Sequence, residues 1–128
     1  FEVATSCVPL MAGLRCSLDL LEQEGGPGQR LERIRLLSER LWQELAAVPG
    51  VMPLLDGPPA AGLVSFALDQ TATALQPARV VKRLGDQGIW IRDLADPSCL
   101  RACTHVCSND DDLQELVNAM RQVIAPVE

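Results

Sequence analysis

The chain has 128 residues, 48% of them apolar and 22% charged, so it carries enough apolar material for one packed domain or a large piece of one. Its formal net charge is -6, from 11 Lys and Arg against 17 Asp and Glu, which argues against non-specific binding of nucleic acid, because counterion release needs clustered cations. No apolar run is long enough to cross a membrane, and with no Tyr, two Trp and two Phe there is little material for base-stacking platforms.

The chain opens Phe1-Glu2-Val3, without an initiator Met or a signal-type segment, and reads as though it starts inside an element. A fragment is therefore expected. Residues 8–24 place Leu10, Met11, Leu14, Leu18 and Leu21 at steps of three and four, which predicts an amphipathic helix ended by Gly25-Gly26-Pro27-Gly28. A second helix follows, with Leu31, Ile34, Leu37, Leu41, Leu45 and Val48 on one stripe and Pro49-Gly50 as its stop. The period then changes. Residues 51–55 and 62–68 read as short strands around the turn cluster Asp56-Gly57-Pro58-Pro59, and the two could form a hairpin. Pro77 suits the first turn of a helix carrying Val80, Val81 and Leu84, closed by Gly85 and Gly88. Residues 89–94 and 99–107 read as a third and a fourth strand around Asp96-Pro97-Ser98. Ser108 with Asp111 has the spacing of a capping box for a last helix bearing Leu113, Leu116, Val117, Met120, Val123 and Ile124. After two helices the order is β-β-α-β-β-α, which predicts an α+β fold: an antiparallel or mixed sheet with helices packed on one face.

Five cysteines, Cys7, Cys16, Cys99, Cys103 and Cys107, are too few and too odd in number for a disulfide scaffold; reduced thiols in a cytoplasmic compartment fit. Cys99, Cys103 and Cys107 enclose His105, and in a continuous strand all four would share one face. Zinc is the sharp reading. The spacing is not the two-residue knuckle of zinc modules and no second ligand cluster exists, so buried small residues are expected instead, with Cys103 inert and no metal bound. The lone histidine limits nucleophilic dyads, and no glycine-rich loop follows a strand to open a helix. Arg92 and Arg101 stand out, because a charge in a sheet strand is costly unless paired, and a guanidinium fork suits a carboxylate. They could clamp an acidic substrate near the ends of neighbouring strands, or be surface residues salt-bridged to Asp93 and Asp96.

Phe1-Glu2-Val3-Ala4-Thr5-Ser6 with Pro9-Leu10-Met11-Ala12-Gly13-Leu14-Arg15 resembles the Phe-Glu-x-Gly-Thr stretch and following helix of class V, cysteine desulfurase-like aminotransferase-fold enzymes. Gly62-Leu63-Val64-Ser65-Phe66, Ile89-Trp90-Ile91-Arg92, Leu100-Arg101-Ala102 and the last helix are similar to the strands and C-terminal helix of their small domain. The resemblance covers essentially the whole chain. It implies the C-terminal part of a fold-type I enzyme: residues 1–27 as the end of the large cofactor-binding domain, and residues 28–128 as the small domain. It further implies pyridoxal 5'-phosphate as cofactor in the complete enzyme, and a homodimer in which Thr5 bonds the cofactor phosphate. Arg101 matches the arginine that grips the substrate α-carboxylate, and Arg92 matches a helper on the preceding strand. That pair looks most like the branch that cleaves the C–S bond of cysteine or cystine by β-elimination. A desulfurase, an isopenicillin N epimerase-like enzyme and a non-catalytic small-domain module are the alternatives.

The pattern is broken in places. Ala4 replaces the family's usual Gly. The only lysine, Lys82, falls on a predicted small-domain helix, so the Schiff-base lysine is expected upstream, no catalytic residue is assigned here and the fragment alone is expected to be inactive. Where desulfurases carry a mobile catalytic Cys, this chain has Asp93-Leu94-Ala95-Asp96-Pro97, with Cys99 two residues late.

Overall fold

The computed structural model describes residues 7–71 and 73–125. By its internal contacts the chain divides into two compact units, Phe1–Arg30 and Leu31–Glu128. In the first, helix α1 spans Val8–Gln23 with a proline in its first turn, and none of its residues is buried. Leu10, Met11, Leu14, Leu18 and Leu21 form its exposed apolar stripe. Gly25 adopts a φ of 110°, open to glycine at little cost, and Arg30 donates to the carbonyls of Leu21 and Gly25. Helix α2 starts at Pro27, inside the segment read as a stop, and runs to Ala46.

The second unit contains β1 (Val51–Pro53), β2 (Leu63–Leu68), α3 (Pro77–Gly85), β3 (Arg92–Leu94), β4 (Cys99–Cys103) and α4 (Asp110–Ile124). All pairings are antiparallel, in the order β1-β2-β4-β3. Alternation along β2 sends Val64, Phe66 and Leu68 into the core, where Leu100 and Ala102 of β4 join them. Leu37, Leu41 and Leu45 of α2, Val80 and Leu84 of α3, and seven residues of α4 close over that face. The sheet is thus covered by helices on one side, as the α+β expectation required. Its other side carries Met52 and Leu63, both about half exposed, with Ser65, Ala67, Arg101 and Cys103.

Polar contacts fix the helices. Arg40 on α2 bonds Glu44 at 2.8 Å and Asp110 at 2.7 Å, and the Glu44 bond is the main reason its pKa rises above the ordinary arginine value. Arg33 donates to the carbonyls of Val106 (3.1 Å) and Ser108 (3.0 Å). Among the described residues no buried side-chain polar atom lacks a partner, and no helix is long and apolar enough to cross a membrane.

Several boundaries differ from the sequence expectation. The capping box uses Asn109 and Asp112 rather than Ser108 and Asp111. The third strand shrinks from residues 89–94 to Arg92–Leu94, and its ladder with β4 ends at the Arg92–Arg101 pair. The fourth stops at Cys103 rather than 107: the Thr104 amide still bonds the Gly62 carbonyl in the β2–β4 register, but its hydroxyl bonds the Ile34 carbonyl and the chain then turns at residues 105–108. His105 and Cys107 therefore lie outside the strand and are exposed, and Cys103 is exposed where burial was expected. Only Cys99 among the three thiols is buried, at 1% exposure.

Candidate functional site

The outward face of β4 takes its position from the pleat. Leu100 and Ala102 enter the core, so Arg101 must point the other way. Register then does what sequence spacing alone leaves open. Arg101 lies directly opposite Arg92 on β3 and directly opposite Ser65 on β2. The row Ser65–Arg101–Arg92 therefore runs from β2 to the edge strand β3 on the face away from α2, α3 and α4. Directly opposed residues have Cβ atoms about 4.5–5.5 Å apart, and like charges in such a pair destabilise a sheet.

Neither guanidinium has an ion pair or hydrogen bond among the described residues: the ion pairs there are Arg40–Glu44, Arg40–Asp110 and Lys82–Asp86. The salt-bridge reading, with Asp93 and Asp96 as partners, is corrected by this. Asp93 is opposite Leu100, so its side chain leaves the other face of β3, and Asp96 sits in the turn containing the cis Asp96–Pro97 bond. Arg92 is exposed and Arg101 half-buried. Two guanidinium forks with no counter-charge among the described residues thus stand on neighbouring strands beside a hydroxyl.

Ser65 escaped the sequence reading as a site residue. The signal was available, because alternation along residues 62–68 puts it on the outward face, but its placement beside Arg101 depends on a strand partner distant in sequence. Thr5 lies outside the described residues. Lys82, exposed on α3, is held by Asp86 at 3.1 and 3.3 Å. No group of three or more His, Cys, Asp or Glu among the described residues could hold a metal ion. A cavity of about 150 Å³ at the end of β4 is lined by Leu41, Trp90, Ala102, Thr104, Leu113 and Leu116, on the helix side of the sheet, and neither arginine lines it.

No family model matches the chain, and no curated protein sequence matches it. Solved structures do. A mutant of C-DES with glycine covalently linked to the PLP cofactor is 37% identical over 97% of this chain, with a TM-score of 0.85. The complex of the cystine C-S lyase C-DES with its reaction product, cysteine persulfide, is 36% identical over 98% of the chain, also at 0.85. The cysteine desulfurase CsdA from Escherichia coli, as the S-sulfonic acid, is 23% identical over 97% of the chain at 0.78, a likeness of fold. This chain spans only about a third of each: 31%, 32% and 32% of their lengths. Near-complete coverage of this chain at such identity and TM-score places it in the class V aminotransferase-fold, cysteine desulfurase-like superfamily, with the α+β fold of the small domain.

Proposed function

We propose that this chain is the carboxylate-holding part of a pyridoxal-phosphate enzyme that cleaves the C–S bond of cysteine or cystine by β-elimination. The observation that carries the reading is the Arg101–Arg92 row: two opposed cations without a counter-charge among the described residues, on the sheet face away from α2, α3 and α4. The likeness to C-DES, a cystine C-S lyase, supports the choice of substrate.

The described residues suit the substrate better than the cofactor. The single lysine, Lys82, lies exposed on α3 beside Asp86, on an element that does not contribute to the arginine row, which supports a covalent anchor in another part of the enzyme. The cofactor, when bound, supplies an electron sink for the Cα carbanion. Arg101 holds the substrate carboxylate with two parallel N–H donors, Ser65 lies beside it, and Arg92 adds charge from the neighbouring strand. Fixing the carboxylate fixes rotation about the bond to Cα, and thereby aims the Cα–H bond. In the same reading Thr5 donates to the cofactor phosphate across a homodimer interface, and the enzyme is cytoplasmic.

Cys99 bears on the choice between lyase and desulfurase. A persulfide-forming thiol needs an exposed, mobile loop, and Cys99 is buried inside β4. That favours elimination without a protein persulfide.

The test is Arg101→Lys in the enzyme that contains this chain. Lys keeps the charge but loses the fork, so kcat/KM for cystine should fall on the order of 10²-fold. Arg92→Lys should cost less. If Arg101→Lys leaves kcat/KM near wild type, the carboxylate-holding role fails. If Arg92→Lys alone abolishes activity, the two roles are interchanged.

A further inference from the structure

We propose that Cys107 and His105 form a thiol-exchange site that takes small disulfides. The inference does not rest on the arginine row or on the cofactor. The Cys107 Sγ lies 3.5 Å from the His105 Nδ1, and both residues are exposed. A thiol beside an imidazole nitrogen is the arrangement by which a base relieves sulfur of its proton as it attacks.

The pair is held by the backbone around it. The His105 amide donates to Ser108 Oγ at 3.1 Å, and the Ser108 amide donates to the His105 carbonyl at 3.0 Å, closing the turn from both ends. Arg33 then grips the carbonyls on either side of Cys107, those of Val106 at 3.1 Å and Ser108 at 3.0 Å. This clamp sets one cation beside the thiol's own peptide units. Of the acidic residues that begin α4, Asp110 is paired with Arg40 and Asp112 is spent in the capping box, which leaves Asp111 as the near negative charge without such a bond.

The other thiols lack this setting. Cys103 donates to the Thr104 carbonyl at 3.7 Å and has no imidazole beside it among the described residues. Cys99 is buried. Cys7 and Cys16 are exposed, with no side-chain partner for sulfur among the described residues.

The step balances without an added redox agent. Cys107 sulfur attacks one sulfur of a disulfide RS–SR; a new S–S bond to Cys107 forms as the old one breaks. His105 Nδ1 takes the thiol proton and returns it to the departing thiolate, which leaves as RSH. The disulfide is reduced by the same two electrons that Cys107 gives up.

The probe is hydroxyethyl disulfide, whose lack of charge gives no cysteine an electrostatic advantage. At limiting reagent, peptide mass mapping of the purified protein should show the mixed disulfide on Cys107 at least about fivefold ahead of Cys7, Cys16 and Cys103, a modest fraction of what a positioned base supplies in enzymes. His105→Asn should abolish that lead and leave the Cys103 rate unchanged, with continued protection of Cys99 reporting an intact fold. Arg33→Gln should narrow the lead by loosening the clamp. Equal uptake across the exposed thiols of the wild-type protein overturns the proposal, independently of any variant. So does a lead that survives His105→Asn.

Discussion

Replacing Arg92 by Gln should make the chain more stable, although it removes part of the proposed site. Arg92 and Arg101 are directly opposed on one sheet face with no counter-charge among the described residues. Opposed Cβ atoms lie about 4.5–5.5 Å apart, and a guanidinium separation on the order of 6 Å is taken from that spacing. Two unit charges at ~6 Å in a dielectric constant of ~80 repel by about 0.7 kcal/mol. Screening leaves about 0.6 kcal/mol at ~10 mM salt, where the Debye length is ~30 Å, and about 0.1 kcal/mol at ~1 M, where it is ~3 Å. Relief of that repulsion corresponds to a rise in Tm of roughly 3 °C at low salt for a domain of this size, fading to nothing at high salt. One opposing effect has to be removed: the net charge is -6, so deleting any cation adds to the overall excess of negative charge. Arg79→Gln is the control, since Arg79 is exposed on α3 and has no ion pair among the described residues. The quantity to read is the difference in Tm between Arg92→Gln and Arg79→Gln, by calorimetry across a salt series. A difference that is zero or negative at low salt, or one that does not shrink with salt, refutes the opposed-cation geometry. Millimolar cystine should raise the Tm of the wild-type protein more than that of Arg92→Gln, because a carboxylate relieves the same repulsion by binding.

Other outcomes follow from single residues. Pyridoxal phosphate added to the 128-residue chain should give no stable imine absorbance, because Lys82 is the only lysine and is held by Asp86; a stoichiometric band that disappears in Lys82→Ala would reverse the assignment of the anchor to another part of the enzyme. Gly62→Ala should lower the Tm by roughly 10 °C, or about 2 kcal/mol, because its new methyl group would overlap the Thr104 carbonyl and approach Ile34 Cγ2 to 2.9 Å. A Tm within ~2 °C of wild type would show that the β2–Thr104 contact can open at little cost.

Much of the fold is legible in the sequence because its signals are local. Steps of three and four among Leu113, Leu116, Val117, Met120, Val123 and Ile124 mark α4, and all six are buried. Pro77 opens α3, and Val80 and Leu84 face inward one turn apart. Alternation along β2 separates Val64, Phe66 and Leu68 from Leu63, Ser65 and Ala67. Local signals also err by one residue where neighbours are chemically alike, as with Ser108 and Asn109 at the cap of α4.

Arg92 and Arg101 were legible as the residues to watch, since each is a charge within a predicted strand. That they face each other, beside Ser65 and away from Asp93, was not. Facing is a matter of register, which depends on which strands pair and where each one stops. The end of β4 makes the same point. Nothing in the run Cys99–Cys107 marks the end of a strand; it ends where the Thr104 hydroxyl meets the Ile34 carbonyl, 70 residues away in sequence, and the chain turns at residues 105–108. The end of the strand there leaves His105 and Cys107 outside the sheet, where the two pair. Residue types and periods, which act over one or two turns of chain, determined the elements and their inward faces; the tertiary structure alone decided which polar groups meet, because those contacts are made between segments that the sequence keeps apart.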